Sequence, residues 1–182
     1  STKDHGIDEL ADSGWFPQLD PEKEGFGRGR LRVSRMGRPA FVGGVSDGHY
    51  GVAAFDQKVL SLSARKSWFF FDAGYVCLGA DIANREPSPV LTTVNQCHLV
   101  GDVRVVDRDG RERTLHTGTY ALPGAQAVYH DGVSYLFPGQ QEVVCSNQFQ
   151  SGDWHRINVN QPDTPVEEQV FSLWLEHGSM PR

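Results

Sequence analysis

The stretch KSWFFFDAGYVCLGADI, Lys66–Ile82, puts Trp68, Phe69, Phe70 and Phe71 in one run, passes Asp72-Ala73-Gly74 and continues as a second apolar run. Two short runs rich in aromatic and β-branched residues, split by a tight turn signal, predict a hairpin of strands Ser67–Phe71 and Tyr75–Ala80. In a strand, successive side chains point to opposite faces. Trp68 and Phe70 therefore share one face, and Phe69 and Phe71 share the other. Aromatics on both faces leave two readings open. Either the strand is covered on both sides, or one face is an open stacking surface. The expected division puts Phe69 and Phe71 in the core and leaves Trp68 for a ligand. Amphipathic Trp suits a wet rim, where an indole lies flat on a sugar ring. Arg65 and Lys66, directly before it, favour an anionic sugar.

The same punctuation recurs on both sides of this hairpin. Val52–Phe55 follows the glycine-rich GGVSDGHYG and reads as a short strand. In LVGDVRVVDRDGRERTLHTG a hairpin turns at Arg108–Arg111 around Asp109-Gly110. HDGV joins Ala127–Tyr129 to Ser134–Phe137 as a third hairpin. Glu142–Phe149 alternates, and in EQVFSLWLEHG one face carries Phe171, Leu173 and Leu175 while the other carries Val170, Ser172 and Trp174. No window of helical length shows a 3.6-residue apolar period. Sequential hairpins with alternating faces predict an all-β protein, an antiparallel sandwich of two packed layers.

Bulk composition agrees with that class. The 182 residues suffice for one sizeable core, and 20 glycines with 10 prolines suit many short strands and turns. The net charge of −6, with both signs interspersed, implies no nucleic-acid-binding surface. No apolar run approaches a membrane span, and no signal peptide opens at Ser1. Cys77, Cys97 and Cys145 lack metal-ligand spacing and read as buried thiols, their odd number excluding a fully paired framework. The histidines show no zinc spacing, so no metal and no cofactor is expected. Residues 1–40 read as an irregular arm or linker with one anchored element near Trp15 and Phe16, and residues 41–182 as the sandwich.

Several motifs have bland alternatives. Gly43–Gly51 lacks both the Gly-x-Ser-x-Gly elbow and the phosphate-loop ending, and reads as a turn into a strand. A self-contained site among Asp47, His49 and Tyr50 would need those side chains to converge in a concave pocket. SGDWHRIN reads as a tight turn and strand with Trp154 as a packing anchor. Asp20 and Glu22, in WFPQLDPEK, are candidate acid/base carboxylates or solvated charges.

FVGGVSDGHYGVAAFD, LSARKSWFFFDAGYVCLGADI, LTTVNQC, YHDGVSYLFP, SGDWHRIN and FSLWLEHGSMP together resemble, in the same order, the central β-sandwich domain of family 8 polysaccharide lyases, the hyaluronate, chondroitin and xanthan lyases. The resemblance runs from about Phe41 to Pro181. It implies a large antiparallel supersandwich of the galactose mutarotase-like kind, here without its C-terminal strands. It also implies cleavage of uronic-acid-containing polysaccharides by β-elimination, with the sandwich as one wall of the cleft. The family's catalytic His and Tyr come from an α/α-toroid domain, in the same parent chain or in trans. None is therefore carried over, and the chain alone is expected to be inactive. In the cleft-wall segment the resemblance places Asp20, Glu22 and Lys23, although the family's Pro-Gly-Thr-Thr piece is missing; Arg65 and Trp68 complete the substrate-binding candidates. A secreted or periplasmic location follows by resemblance. The rival reading is a stand-alone carbohydrate-binding or scaffolding sandwich with no catalysis.

Overall fold

The computed structural model describes residues 41–59, 61–139, 141–156 and 158–181. The arm, with Trp15, Phe16, Asp20, Glu22 and Lys23, lies outside the described residues. The larger of two units comprises Gly37–Gly152 with Pro165–Arg182. The described part of the other, Asp153–Thr164, is held by turns, with the His155 N–H donating to Asp153 Oδ1 at 2.7 Å and the Asn158 N–H to the Trp154 carbonyl at 2.9 Å. Trp154 is exposed there, and among the described residues no strand begins between it and Pro165, so it is not the packing anchor its sequence suggested.

The described residues form strands and turns without a helix, so the all-β expectation holds. Sheet A is a meander of β1 (Val42–Ser46), β2 (Gly51–Val59), β3 (Leu62–Phe71) and β4 (Gly74–Ala83), in that order. After β5 (Pro89–His98), sheet C has the order β10-β9-β6-β7, from β6 (Val103–Asp107), β7 (Glu112–Leu115), β9 (Ala125–His130) and β10 (Val133–Leu136). Sheet B has the order β12-β13-β11-β8, from β8 (Thr119–Pro123), β11 (Glu142–Ser146), β12 (Phe149–Asp153) and β13 (Pro165–Ser179), and β5 also pairs with β13. All the recorded registers are antiparallel.

The three turns that sequence predicts are present. Phe71 pairs with Gly74, closing β3–β4. At β6–β7, Asp107 Oδ1 accepts from the N–H groups of Asp109 and Arg111, and Gly110 takes a φ of 76°. At β9–β10, His130 pairs with Val133, and Asp131 and Gly132 have φ of 47° and 74°. At β9–β10 two central residues with positive φ twist the loop the way antiparallel strands twist, whereas at β6–β7 only Gly110 takes that conformation.

The core joins sheets B and C. Phe171, Leu173 and Cys145 of sheet B and Val103 and Val128 of sheet C are each at most 1% exposed and belong to one apolar cluster. Of the two faces that alternation defines on β13, the one with Phe171 and Leu173 points into this cluster, with Leu175 packed on its margin. The opposite face is covered as well: Ser172 is fully buried. At the edge of the cluster the ring of His130 stacks on Phe171, with centroids 4.1 Å apart. The Val100 N–H donates to His130 Nε2 at 3.0 Å, which leaves Nδ1 to carry the proton toward Cys97 Sγ at 3.8 Å. Burial pushes the His130 pKa below its ordinary value, with nearby Asp131 opposing. Buried Asn147 ties the β7–β8 connection to the end of β11. Its Oδ1 accepts from the Gly118 N–H at 2.8 Å, and its Nδ2 donates to the Leu115 carbonyl at 3.3 Å.

Sheet A departs from expectation. Phe69 and Phe71, expected in the core, are 36% and 54% exposed, whereas Trp68 is half-buried. Of the cysteines only Cys145 is buried; Cys97 is intermediate and Cys77, on β4, is exposed. Near its end β4 carries a bulge: Arg65 pairs with Ala80 and Ser63 with Ala83, and Asp81 between them has a φ of 51°.

Candidate functional site

The registers of sheet A define its two faces, because residues directly opposite in an antiparallel pair share a face. One face carries the rows Val45–Val52–Phe69–Val76 and Gly43–Ala54–Ser67–Leu78. These rows are largely apolar, with Phe69, Val76 and Leu78 all exposed, while Asp56 and Arg65 lie on the same face further along the strands. The other carries Ser46–Gly51–Phe70–Tyr75, Gly44–Ala53–Trp68–Cys77 and Val42–Phe55–Lys66–Gly79. This second face mixes aromatic rings, small residues and one cation, and it is the candidate site.

Trp68 sits at the middle of the second face. Its indole stacks on Phe55, with centroids 5.6 Å apart and planes 18° apart, one row along the strands. Gly44 and Ala53, its neighbours across β1 and β2, have almost no side chain, so nothing bulky stands beside it in its own row. Lys66 lies in the next row, and its charge opposes the burial that pushes the Cys77 thiol pKa up. The same ammonium reaches His177 electrostatically: burial holds the His177 pKa low and Lys66 lowers it further. His177 Nε2 is 2.8 Å from Thr92 Oγ1, where the end of β13 lies against β5. Trp68 and Lys66 thus combine an aromatic surface with a cation, the equipment for holding an acidic sugar.

Of the site residues read from sequence, Trp68 and Arg65 lie on one strand but not on one face. They are separated by an odd number of positions, and Arg65 is turned to the far side, where it pairs with Asp81 at 3.0 Å. Alternation alone would have shown this, and would have favoured Lys66 as the cation beside Trp68. The Thr92–His177 pair leaves no sequence signal, since β5 and β13 bring together residues far apart in the chain. Asp20, Glu22 and Lys23 lie outside the described residues.

At the tip of β1–β2, His49 and Tyr50 border an open hollow of about 500 Å³. Asp47 does not complete a catalytic trio with them. Its Oδ1 accepts from the N–H groups of Tyr50 and His49, at 2.7 and 2.9 Å, and these bonds hold its carboxyl below the usual carboxylate range. His49 Nε2 instead lies 3.1 Å from Asp72 of the neighbouring hairpin tip. Among the described residues no group of three or more His, Cys, Asp and Glu side chains is placed to hold a metal ion.

Comparison with known proteins adds the lineage. The family model described as polysaccharide lyase family 8, super-sandwich domain, matches residues 21–182. The chain is 39% identical over 146 residues to the chondroitinase-AC of Pedobacter heparinus, covering 80% of this chain and 21% of that protein. It is 32% identical to the hyaluronate lyase of Thermasporomyces composti, over 98% of this chain and 24% of the relative. A solved chondroitinase AC lyase, whose active site was revealed by enzyme–oligosaccharide complexes, superposes with a TM-score of 0.71 at 37% identity, over 78% of this chain and 21% of that one. The chain thus spans about a fifth to a quarter of the length of these proteins.

Proposed function

Because the chain belongs to polysaccharide lyase family 8 through its super-sandwich domain, we propose that it forms one wall of the cleft of a lyase that cleaves uronic-acid-containing polysaccharides of the hyaluronan or chondroitin type. In β-elimination a base removes the proton at C5, next to the uronate carboxylate. The C4–O bond breaks, a C4=C5 double bond forms, and the departing oxygen takes up a proton. The developing carbanion demands that the carboxylate be neutralised and the base be close. The sandwich holds the chain of sugars while the base and acid come from a helical toroid, in the same parent chain or in trans. The polymer is too large to enter a cell, which fits a secreted or periplasmic protein.

The observation that carries this reading is the placement of Trp68 and Lys66 together on a partly open face of sheet A. Support for a partner domain comes from the opposite face, where Phe69, Val76 and Leu78 expose a continuous apolar surface of the kind that marks protein contacts. That surface also disfavours the stand-alone binding module, for which a polar exterior is expected.

The test is absorbance of unsaturated uronate product from hyaluronan, chondroitin and xanthan, with a whole family lyase as positive control. The isolated chain is expected to generate none, while binding hyaluronan oligosaccharides with an affinity that Trp68→Ala weakens by about 3- to 10-fold, the worth of one aromatic stacking contact. Product formation would place a complete site in these residues, and an unchanged affinity in Trp68→Ala would remove this face from the cleft.

A further inference from the structure

The hollow at the β1–β2 tip is lined by Gly44, Ser46, Gly51 and Phe70 of the Trp68 face, by Val45 and Val52 of the opposite rows, and by the loop residues His49 and Tyr50. Phe70 follows Trp68 by two positions on β3, about 7 Å further along the strand, a separation of the order of one sugar unit. We propose that this hollow is a second sugar position, taking the apolar C–H face of a pyranose ring from the same polysaccharide strand that crosses Trp68. The proposal rests on the lyase-wall reading and extends it.

Three observations carry it. The first is shape. A Cβ on Gly51 would lie 3.7 Å from Phe70 Cδ2 and 3.7 Å from the Val45 carbonyl, in ordinary contact. A side chain at Gly51 would therefore fit and occupy the hollow, so the glycine is what keeps it open. The second is rigidity at an exposed tip. Ser46 Oγ donates to the Tyr50 carbonyl at 2.7 Å, and Asp47 Oδ1 ties down both following N–H groups. His49 meets the Tyr50 ring edge-on at 4.6 Å while paired with Asp72. A ring fixed before binding loses little conformational entropy when a ligand stacks on it. The third is polarity. The Ser46 hydroxyl and the His49 imidazole join the rings of Tyr50 and Phe70 in the lining, matching a sugar's apolar face and polar rim. Asp72, 3.1 Å from the His49 imidazole at the edge of the hollow, disfavours a second carboxylate there and favours the uncharged sugar of the repeat.

A ten-sugar hyaluronan oligosaccharide, titrated by calorimetry into the wild type and into Gly51→Val, Phe70→Ala and Trp68→Ala, tests the assignment, with a thermal melt of each variant to confirm folding. Gly51→Val, which fills the hollow while favouring an extended backbone, is expected to weaken binding about 3- to 10-fold, the loss of one ring contact, as is Phe70→Ala. If both folded variants keep the wild-type affinity while Trp68→Ala weakens binding, the hollow is not a sugar position and the lyase-wall reading stands. If the oligosaccharide does not bind, or Trp68→Ala leaves its affinity unchanged, the reading of the face falls and the hollow falls with it.

Discussion

Sheet A and the paired sheets B and C are built from similar residues and put to different use. Leu78 on β4 and Leu173 on β13 are the same side chain in the same kind of strand, yet Leu78 is 54% exposed and Leu173 is fully buried. Phe69 and Phe171 repeat the contrast. Hydrophobicity therefore does not mark the core of this protein. Coverage does: side chains of B and C meet in one cluster, whereas both faces of A carry exposed rings. An apolar strand without a covering layer has surface left over for recognition.

Identical substitutions in the two regions put that contrast at risk. Leu173→Ala removes contacts from the centre of the cluster and is expected to cost about 2–5 kcal/mol in urea unfolding. A smaller effect comes from the junction of B and C at His130. Its pKa is lowered in the folded chain, so below the ordinary histidine value of about 6.5 the unfolded chain binds more protons than the folded one. Stability is then lost as pH falls through that value toward the lower folded pKa. His177 adds to the loss in the same direction. Melting temperatures measured from pH 7.5 to pH 5 are expected to fall, and His130→Gln, which keeps an acceptor for the Val100 N–H, flattens the slope. An unchanged slope would mean that the ring is not protected from protonation at this junction. The smallest effect belongs to Leu78→Ala, expected to lie within about 0.5 kcal/mol of wild type, as for other exposed positions. A loss there comparable to that of Leu173→Ala would show sheet A to be covered in solution and would erase the distinction.

How much of this was legible in the sequence follows from what each residue encodes locally. Asp109-Gly110 and Asp131-Gly132 carry their turns in their own backbone preferences, so the hairpins could be read without the fold. The division of β13 into two faces was legible, but burial of Ser172 was not, since alternation cannot say that both sides of a strand are covered. In β3 alternation failed differently. Trp68–Phe71 is aromatic at every position, so either face could have been the inner one, and the rings expected to be buried are exposed, as is Phe70 on the other face. The lineage was readable because six ordered motifs span most of the chain, and the family match agrees. The hollow could not be read as one, because Gly44, Gly51 and Phe70 come together only through the β1–β2–β3 register.

The bulge at Asp81 bears on how the chain behaves at high concentration. Sheet A ends on β4, and the outer edge of an end strand is a ready template for strand addition by another copy. The left-handed backbone at Asp81, beside the Arg65 charge, interrupts that template after Ala80, so a second strand could add in unbroken register only along Gly74–Ala80. A local irregularity in one strand thereby shortens the edge on which another copy could add.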